Sequence, residues 1–241
     1  MVASLTKSSA IVASPIASLP CRTSLASLAP SGFRVLEKQS VRPIHSGTIG
    51  PQLRHMANDP SLPPTEIIQR TRHWLEAAVI GLQLCPFASP VYRRNLVHFA
   101  VSQALSETDL ETDLRHELIR LRDSPPEIIE TTLLIHPWVL QKFPDYNQFL
   151  DVADALLAEL RLDGEVQIAS FHPDYCFAGA PPDDITHYTN RSPYPTLHLL
   201  RETSVSQAVD SVSDAGAIPE INMATLRRLG KSGWDELGIQ A

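Results

Sequence analysis

Thr132-Leu133-Leu134-Ile135-His136-Pro137 and Gln167-Ile168-Ala169-Ser170-Phe171-His172-Pro173 share one form, a strand-length run that stops at His-Pro. Between them Phe149, Leu150, Ala153, Leu156, Leu157 and Leu160 recur every three or four residues, which predicts a helix from about Tyr146 to Leu160. Two strands joined by a crossover helix run parallel. Both imidazoles then fall at the same edge of one sheet, with Asp174 just beyond the second. Ligands of open α/β sheets bind outside the C-terminal ends of the strands. That edge is therefore the first place to look for chemistry.

The flanking segments extend this pattern. Pro60, Pro63 and Pro64 precede Thr65-Glu66, where a helix is expected to begin. Ile67, Ile68, Thr71, Trp74, Leu75, Ala78, Val79 and Leu82 form its apolar face, and Pro86 stops it near Leu84 because the residue before a proline avoids helical geometry. Asn95 to Ser102 reads as a buried strand, Asp109 to Leu121 as a helix and Ile128 to Ile135 as the next strand. Gly164 is expected to end the crossover helix, and Val166 to Phe171 is the third strand. Thr196 to Arg201 reads as a fourth, followed by a short helix over Gln207 to Val212 and a last one over Pro219 to Leu229. The expected fold is α/β or α+β: a single domain over residues 59–241, with a sheet of about four strands and packed helices.

His172 to Pro195 interrupts this alternation. Structureless loops of that length inside compact domains are usually functional or disordered. Tyr175, Phe177, Tyr188 and Tyr194 argue for order, and Asp174, Asp183, Asp184, Asn190 and Arg191 give it polar content. An ordered polar loop leaving the sheet edge is where a site is expected.

Residues 1–58 are of another kind. They are rich in Ser and Ala and carry Lys7, Arg22, Arg34, Lys38, Arg42 and Arg54 against Glu37 alone. This is the composition of an organellar transit peptide, without the continuous apolar stretch of a secretory signal. The Met-Val-Ala-Ser opening favours the plastid (chloroplast), with the mitochondrion as the alternative, and the segment is expected to be disordered. The chain has a net charge of −7, so the part after this leader is strongly acidic. Such a domain is a poor nucleic-acid binder, because that binding rests on Lys and Arg neutralising phosphates. No apolar run reaches the ~20 residues of a membrane-spanning helix, so neither nucleic acid nor membrane is an expected partner. The oligomeric state is left open. Three cysteines, Cys21, Cys85 and Cys176, without a C-x-x-C pair, make free thiols in a reducing compartment the default.

Several longer motifs carry a resemblance. They are Thr71-Arg-x-Trp74, Val79-Ile-Gly-Leu-x-Leu-Cys-Pro-Phe87, Thr131 to Pro137, Tyr146-Asn-x-Phe-Leu-Asp-Val-Ala-Asp154, Ile168 to Asp174 and Thr189 to Glu202. Together they resemble the mostly bacterial domain of unknown function 1415 family, over roughly Thr65 to Gly230. Bacterial members start close to the first helix, which implies that residues 1–58 are an added leader. Cys176 departs from the family pattern, where a non-cysteine polar residue is expected. The family brings no established activity, so the chemistry rests on the residues.

Four groups are candidates. His136 and His172 are expected as acid/base residues, with Asp174 orienting or ligating. Together with Asp174 or His198 they would make a two-His, one-carboxylate metal site suited to Zn or non-haem iron. A divalent metal is the cofactor this implies, although no H-E-x-x-H spacing supports it. The competing reading has each imidazole bonding backbone at a turn. Cys85 is the candidate nucleophile, opposed by its place at a helix C-terminus, where the dipole disfavours thiolate. Asn190 and Arg191 are the candidate substrate-binding pair, Arg191 offering a fork for an anion or an ion pair that staples the loop. His73, His98, His116 and His187 read as surface or packing residues. No G-x-G-x-x-G or Walker-type loop is present. The expected function is a small-molecule enzyme with a His/Asp site doing hydrolytic or other acid/base chemistry. The alternative is a non-catalytic module that binds a small ligand or a protein. An enzyme needs both histidines facing one cavity, whereas a scaffold would satisfy them fully.

Overall fold

The computed structural model describes residues 62–210 and 214–239. The leader expected at 1–58, with Cys21, lies outside the described residues, as do 211–213, which hold the end of the helix expected at Gln207 to Val212.

The described chain forms α1 (Pro64–Trp74), a π-helical turn (Leu75–Ile80), α2 (Ala88–Arg93), β1 (Val97–Val101) and α3 (Glu107–Asp123). β2 (Thr131–Ile135), α4 (Phe143–Glu159), β3 (Val166–Phe171), a 3-10 turn (Ile185–Thr189) and β4 (Thr196–Arg201) follow. α5 (Glu202–Asp210), a second 3-10 turn (Ala215–Ala217) and α6 (Ile218–Glu236) complete it. The strands form one four-stranded sheet in the order β1-β2-β4-β3. β1 runs parallel to β2, while β4 runs antiparallel to both β2 and β3. β2 and β3 therefore point the same way, as the crossover reading requires, but β4 lies between them. With helices on both faces of this mixed sheet, the fold is α+β.

Register explains the two cores. Leu134 pairs with Leu197, Thr132 with Leu199 and Ile168 with Leu199, and these residues point to one face. There they meet Leu110, Leu114, Leu118 and Leu121 of α3 and Phe149, Ala153, Leu156 and Leu157 of α4. Leu133 and Ile135 point to the other face and pack with Trp74, Ala78, Val79, Leu226 and Trp234 from α1, the π turn and α6. Every residue of β2 is buried, as expected of a central strand covered on both faces. β1, expected to be buried, is an edge strand and only half-buried throughout.

The element ends have local causes. Ser106 caps α3, its hydroxyl oxygen accepting from the Asp109 N–H at 3.2 Å. α4 starts three residues before the expected Tyr146, because Pro144 is tolerated in a first turn, where the N–H has no partner to lose. Its end differs too. Arg161, at φ 58°, takes the left-handed position, with its N–H donating to Ala158 O at 3.1 Å and the Leu162 N–H donating to Leu157 O at 2.9 Å. This is a Schellman cap built on an arginine. Gly164 sits beyond it in the turn to β3 with φ 77°.

Candidate functional site

The expected edge exists. β2 and β3 end there and β4 begins there, Thr196 pairing with both Ile135 and Phe171. His136 and His172 continue the α4-facing side of their strands and are both fully buried. Tyr146 of α4 lies against the two rings, its centroid 5.7 Å from that of His136 and 5.1 Å from that of His172. Its hydroxyl donates to Thr196 O at 2.9 Å and accepts from the Phe171 N–H at 3.0 Å, tying β3 and β4 together at the edge.

The partners fix each ring's tautomer. His172 Nδ1 accepts from the Asp174 N–H at 3.0 Å, so Nε2 carries the proton and donates to Leu140 O at 3.2 Å. Both of its nitrogens are satisfied. His136 Nδ1 donates to Val139 O at 3.1 Å, which leaves Nε2 as a bare lone pair, and this buried atom has no partner. Burial in an apolar setting disfavours the imidazolium and takes His136 down to about 3 and His172 down to about 4. Both rings are neutral at ordinary pH.

The other candidates at this edge serve the loop. Asp174 is exposed and contributes its backbone N–H to His172. Asn190 donates from Nδ2 to Ser170 O at 3.1 Å, and its own carbonyl accepts the His172 N–H at 3.1 Å. Arg191 donates from Nε to Tyr175 O at 3.2 Å and lies over the Tyr188 ring at 4.3 Å, in place of the ion pair considered from sequence. His198 is two residues inside β4, paired with Leu133 and Ala169, and so belongs to the opposite face from His136 and His172. Thr131 Oγ1 donates to Leu199 O at 2.6 Å, so His198 Nε2 must donate to Thr131 at 2.7 Å. Burial takes His198 down to about 4. Among the described residues no group of three His, Cys, Asp or Glu side chains is placed to hold a metal ion, so the arrangement does not fit the divalent metal expected from sequence.

His187, read as surface or packing, proves to be fully buried. Its Nδ1 accepts from the Phe177 N–H at 3.1 Å and its Nε2 donates to Pro181 O at 2.7 Å. The loop 172–195 is ordered by histidines bonding backbone, a role that no spacing in the sequence announces.

Cys85 stands elsewhere. It packs with the core on the α1 and α6 side of the sheet and is a free thiol. The helix before it changes to π geometry at Leu75–Ile80, and Gln83 then takes a left-handed φ of 57°. π turns and non-glycine left-handed residues recur at functional sites. α2 begins three residues after Cys85, a helix not expected from the sequence, where Pro86 ends the first helix and Asn95 begins the next element. Pro90 falls in its first turn, where proline is permitted. Burial pushes the Cys85 thiol up, with the Phe87 and Ala88 N–H groups acting in the opposite direction. Neither His136 nor His172 bonds it: three of their four ring nitrogens meet backbone, and His136 Nε2 has no partner.

Around Cys85 opens a cleft of about 510 Å³. Ile80, Gln83, Cys85, Pro86, Ser89 and Arg93 come from the π turn to α2, Asp214 lies just before the second 3-10 turn, and Ile218, Ile221 and Asn222 come from the start of α6. Asn222 Nδ2 donates to Leu84 O at 2.7 Å, tying the two segments together. Ile221 is 57% exposed, an apolar wall without a cover. Of these residues only Cys85 is a site candidate from the sequence. Ile80 shares the Val79–Phe87 motif with it, while Asp214, Ile218, Ile221 and Asn222 come from a segment more than a hundred residues away that no quoted motif covers.

Fold and site together define a small α+β protein with a neutral, buried histidine edge and a concave site built outside it. A family described as "Protein of unknown function (DUF1415)" matches residues 66–236, and the chain belongs to that family. No curated protein and no solved structure matches it.

Proposed function

We propose that this protein binds a small molecule in the cleft beside Cys85. The observation that carries the reading is the cleft itself, about 510 Å³ with isoleucine walls and a few polar groups, Gln83, Ser89, Arg93, Asp214 and Asn222. Small-molecule sites are concave, mostly apolar and oriented by a small number of polar side chains. Cys85 lines it as a neutral thiol, because its pKa is raised, and a neutral thiol is a weak nucleophile. Binding therefore fits better than covalent catalysis. A thermal-shift screen of the full chain with aliphatic acids, amines and amino acids tests this, beside a Ser89→Trp variant that fills the cleft. At least one compound is expected to raise Tm in the unaltered protein and leave the variant unmoved. No response, or equal responses in both, would overturn the reading.

A second reading rests on one atom. His136 Nε2 is buried without a partner, and native structures rarely leave such a group unused. Under this reading the protein is an acid/base enzyme, with His136 as base, His172 beside it and Arg191 holding an anion once the loop 172–195 opens. Its mark would be movement of the His136 ring resonances when the same compounds are added. If those resonances stay still while the cleft responds, the enzyme reading fails.

A further inference from the structure

We propose that the ligand of this cleft is a zwitterion with an aliphatic chain, the chemistry of a free α-amino acid such as leucine. This rests on the cleft being the ligand site. Two charges of opposite sign line it, Arg93 at the end of α2 and Asp214 just before the second 3-10 turn. Both are exposed, and they make no ion pair with each other or with any other described residue. Opposite charges that share a concavity without meeting leave room for a molecule that carries both complements. A guanidinium takes a carboxylate in a fork, and a carboxylate accepts from an ammonium. Asn222, which also lines the cleft, donates from Nδ2 to Leu84 O, and its Oδ1 has the chemistry to accept from an ammonium. Ile80, Ile218 and the exposed Ile221 line the same cleft with apolar surface, whose burial by an aliphatic chain is favourable. A plain anion would leave Asp214 facing a like charge, and a plain cation would do the same to Arg93. The zwitterion avoids both conflicts.

Calorimetric titration of the full chain separates the cases, with L-leucine, 4-methylpentanoate (the same chain without the amine) and 3-methylbutylamine (without the acid). L-Leucine is expected to bind most tightly, and Arg93→Gln and Asp214→Asn each to weaken it about tenfold, as for loss of a charged hydrogen bond. Both positions are exposed, so the variants should fold, which circular dichroism confirms. 4-Methylpentanoate should bind more weakly than leucine and gain on Asp214→Asn. If it binds as tightly as leucine and Asp214→Asn changes nothing, the ligand is not a zwitterion, although the cleft remains the site. If none of the three binds while the thermal-shift screen still gives a hit that Ser89→Trp removes, this inference alone fails. If that screen is empty too, the cleft reading falls with it.

Discussion

Tyr146 shows how single side chains hold the sheet's C-terminal edge. One hydroxyl bonds two strands, and one ring packs against two imidazoles. The two histidines beside it, and His198 on the other face of the sheet, are tuned toward neutrality, and this has a measurable consequence. His136, His172 and His198 are depressed to about 3, about 4 and about 4, whereas in an unfolded chain each titrates near pH 6.5. Between those values the unfolded chain binds protons that the folded chain refuses, so stability is present above about pH 6.5 and is lost as pH falls. Each histidine contributes a slope of about 1.4 kcal/mol per pH unit in that window. Urea unfolding at pH 7.5 and 5.0 should show a clear loss at the lower pH, and His172→Asn should shrink that loss by about a third. Stability that is flat or rises toward pH 5.0 would contradict the assigned tautomers and burial. The positions of His136 and His172 were legible because strand, crossover helix and strand place their ends by topology alone. Their neutrality was not, because it depends on which backbone groups the next turn supplies. The sequence offers Asp174 as an orienting carboxylate, whereas what it delivers to His172 is its N–H.

Among the elements, periodicity located α1, α3, α4 and all four strands, since each buries a face whose spacing survives in the sequence. What escaped are the elements set by backbone geometry. The π turn after Trp74 keeps the same apolar residues on the buried side, and α2 follows Pro86 and carries Pro90 in its own first turn. The insertion of β4 between β2 and β3 also escaped, because the loop 172–195 is long enough to return the chain to any neighbouring position. α4 offers a direct check of the cap. Its left-handed C′ position is held by Arg161 instead of glycine, and a side chain there costs about 1 kcal/mol. Arg161→Gly is therefore expected to stabilise the protein by up to about 1 kcal/mol in denaturant unfolding. A loss of stability would mean that the arginine side chain itself contributes more than the strain it causes.

Taken whole, the molecule keeps apart the two centres that the sequence offers, the histidine edge and Cys85. The sheet edge is closed, neutral and bonded to backbone, while the open concavity lies among the π turn, α2 and α6. Family membership fixes kinship over residues 66–236 and leaves the ligand to physical measurement. No described helix is long and apolar enough to cross a membrane. The most direct measurement is amide chemical-shift mapping of the isotope-labelled full chain titrated with L-leucine. Shifts are expected to cluster on Cys85, Ser89, Arg93 and Asn222, with the amides of His136, His172 and Arg191 unmoved. Shifts centred on the histidine edge, or a compound that moves the edge and spares the cleft, would contradict the assignment of the ligand site.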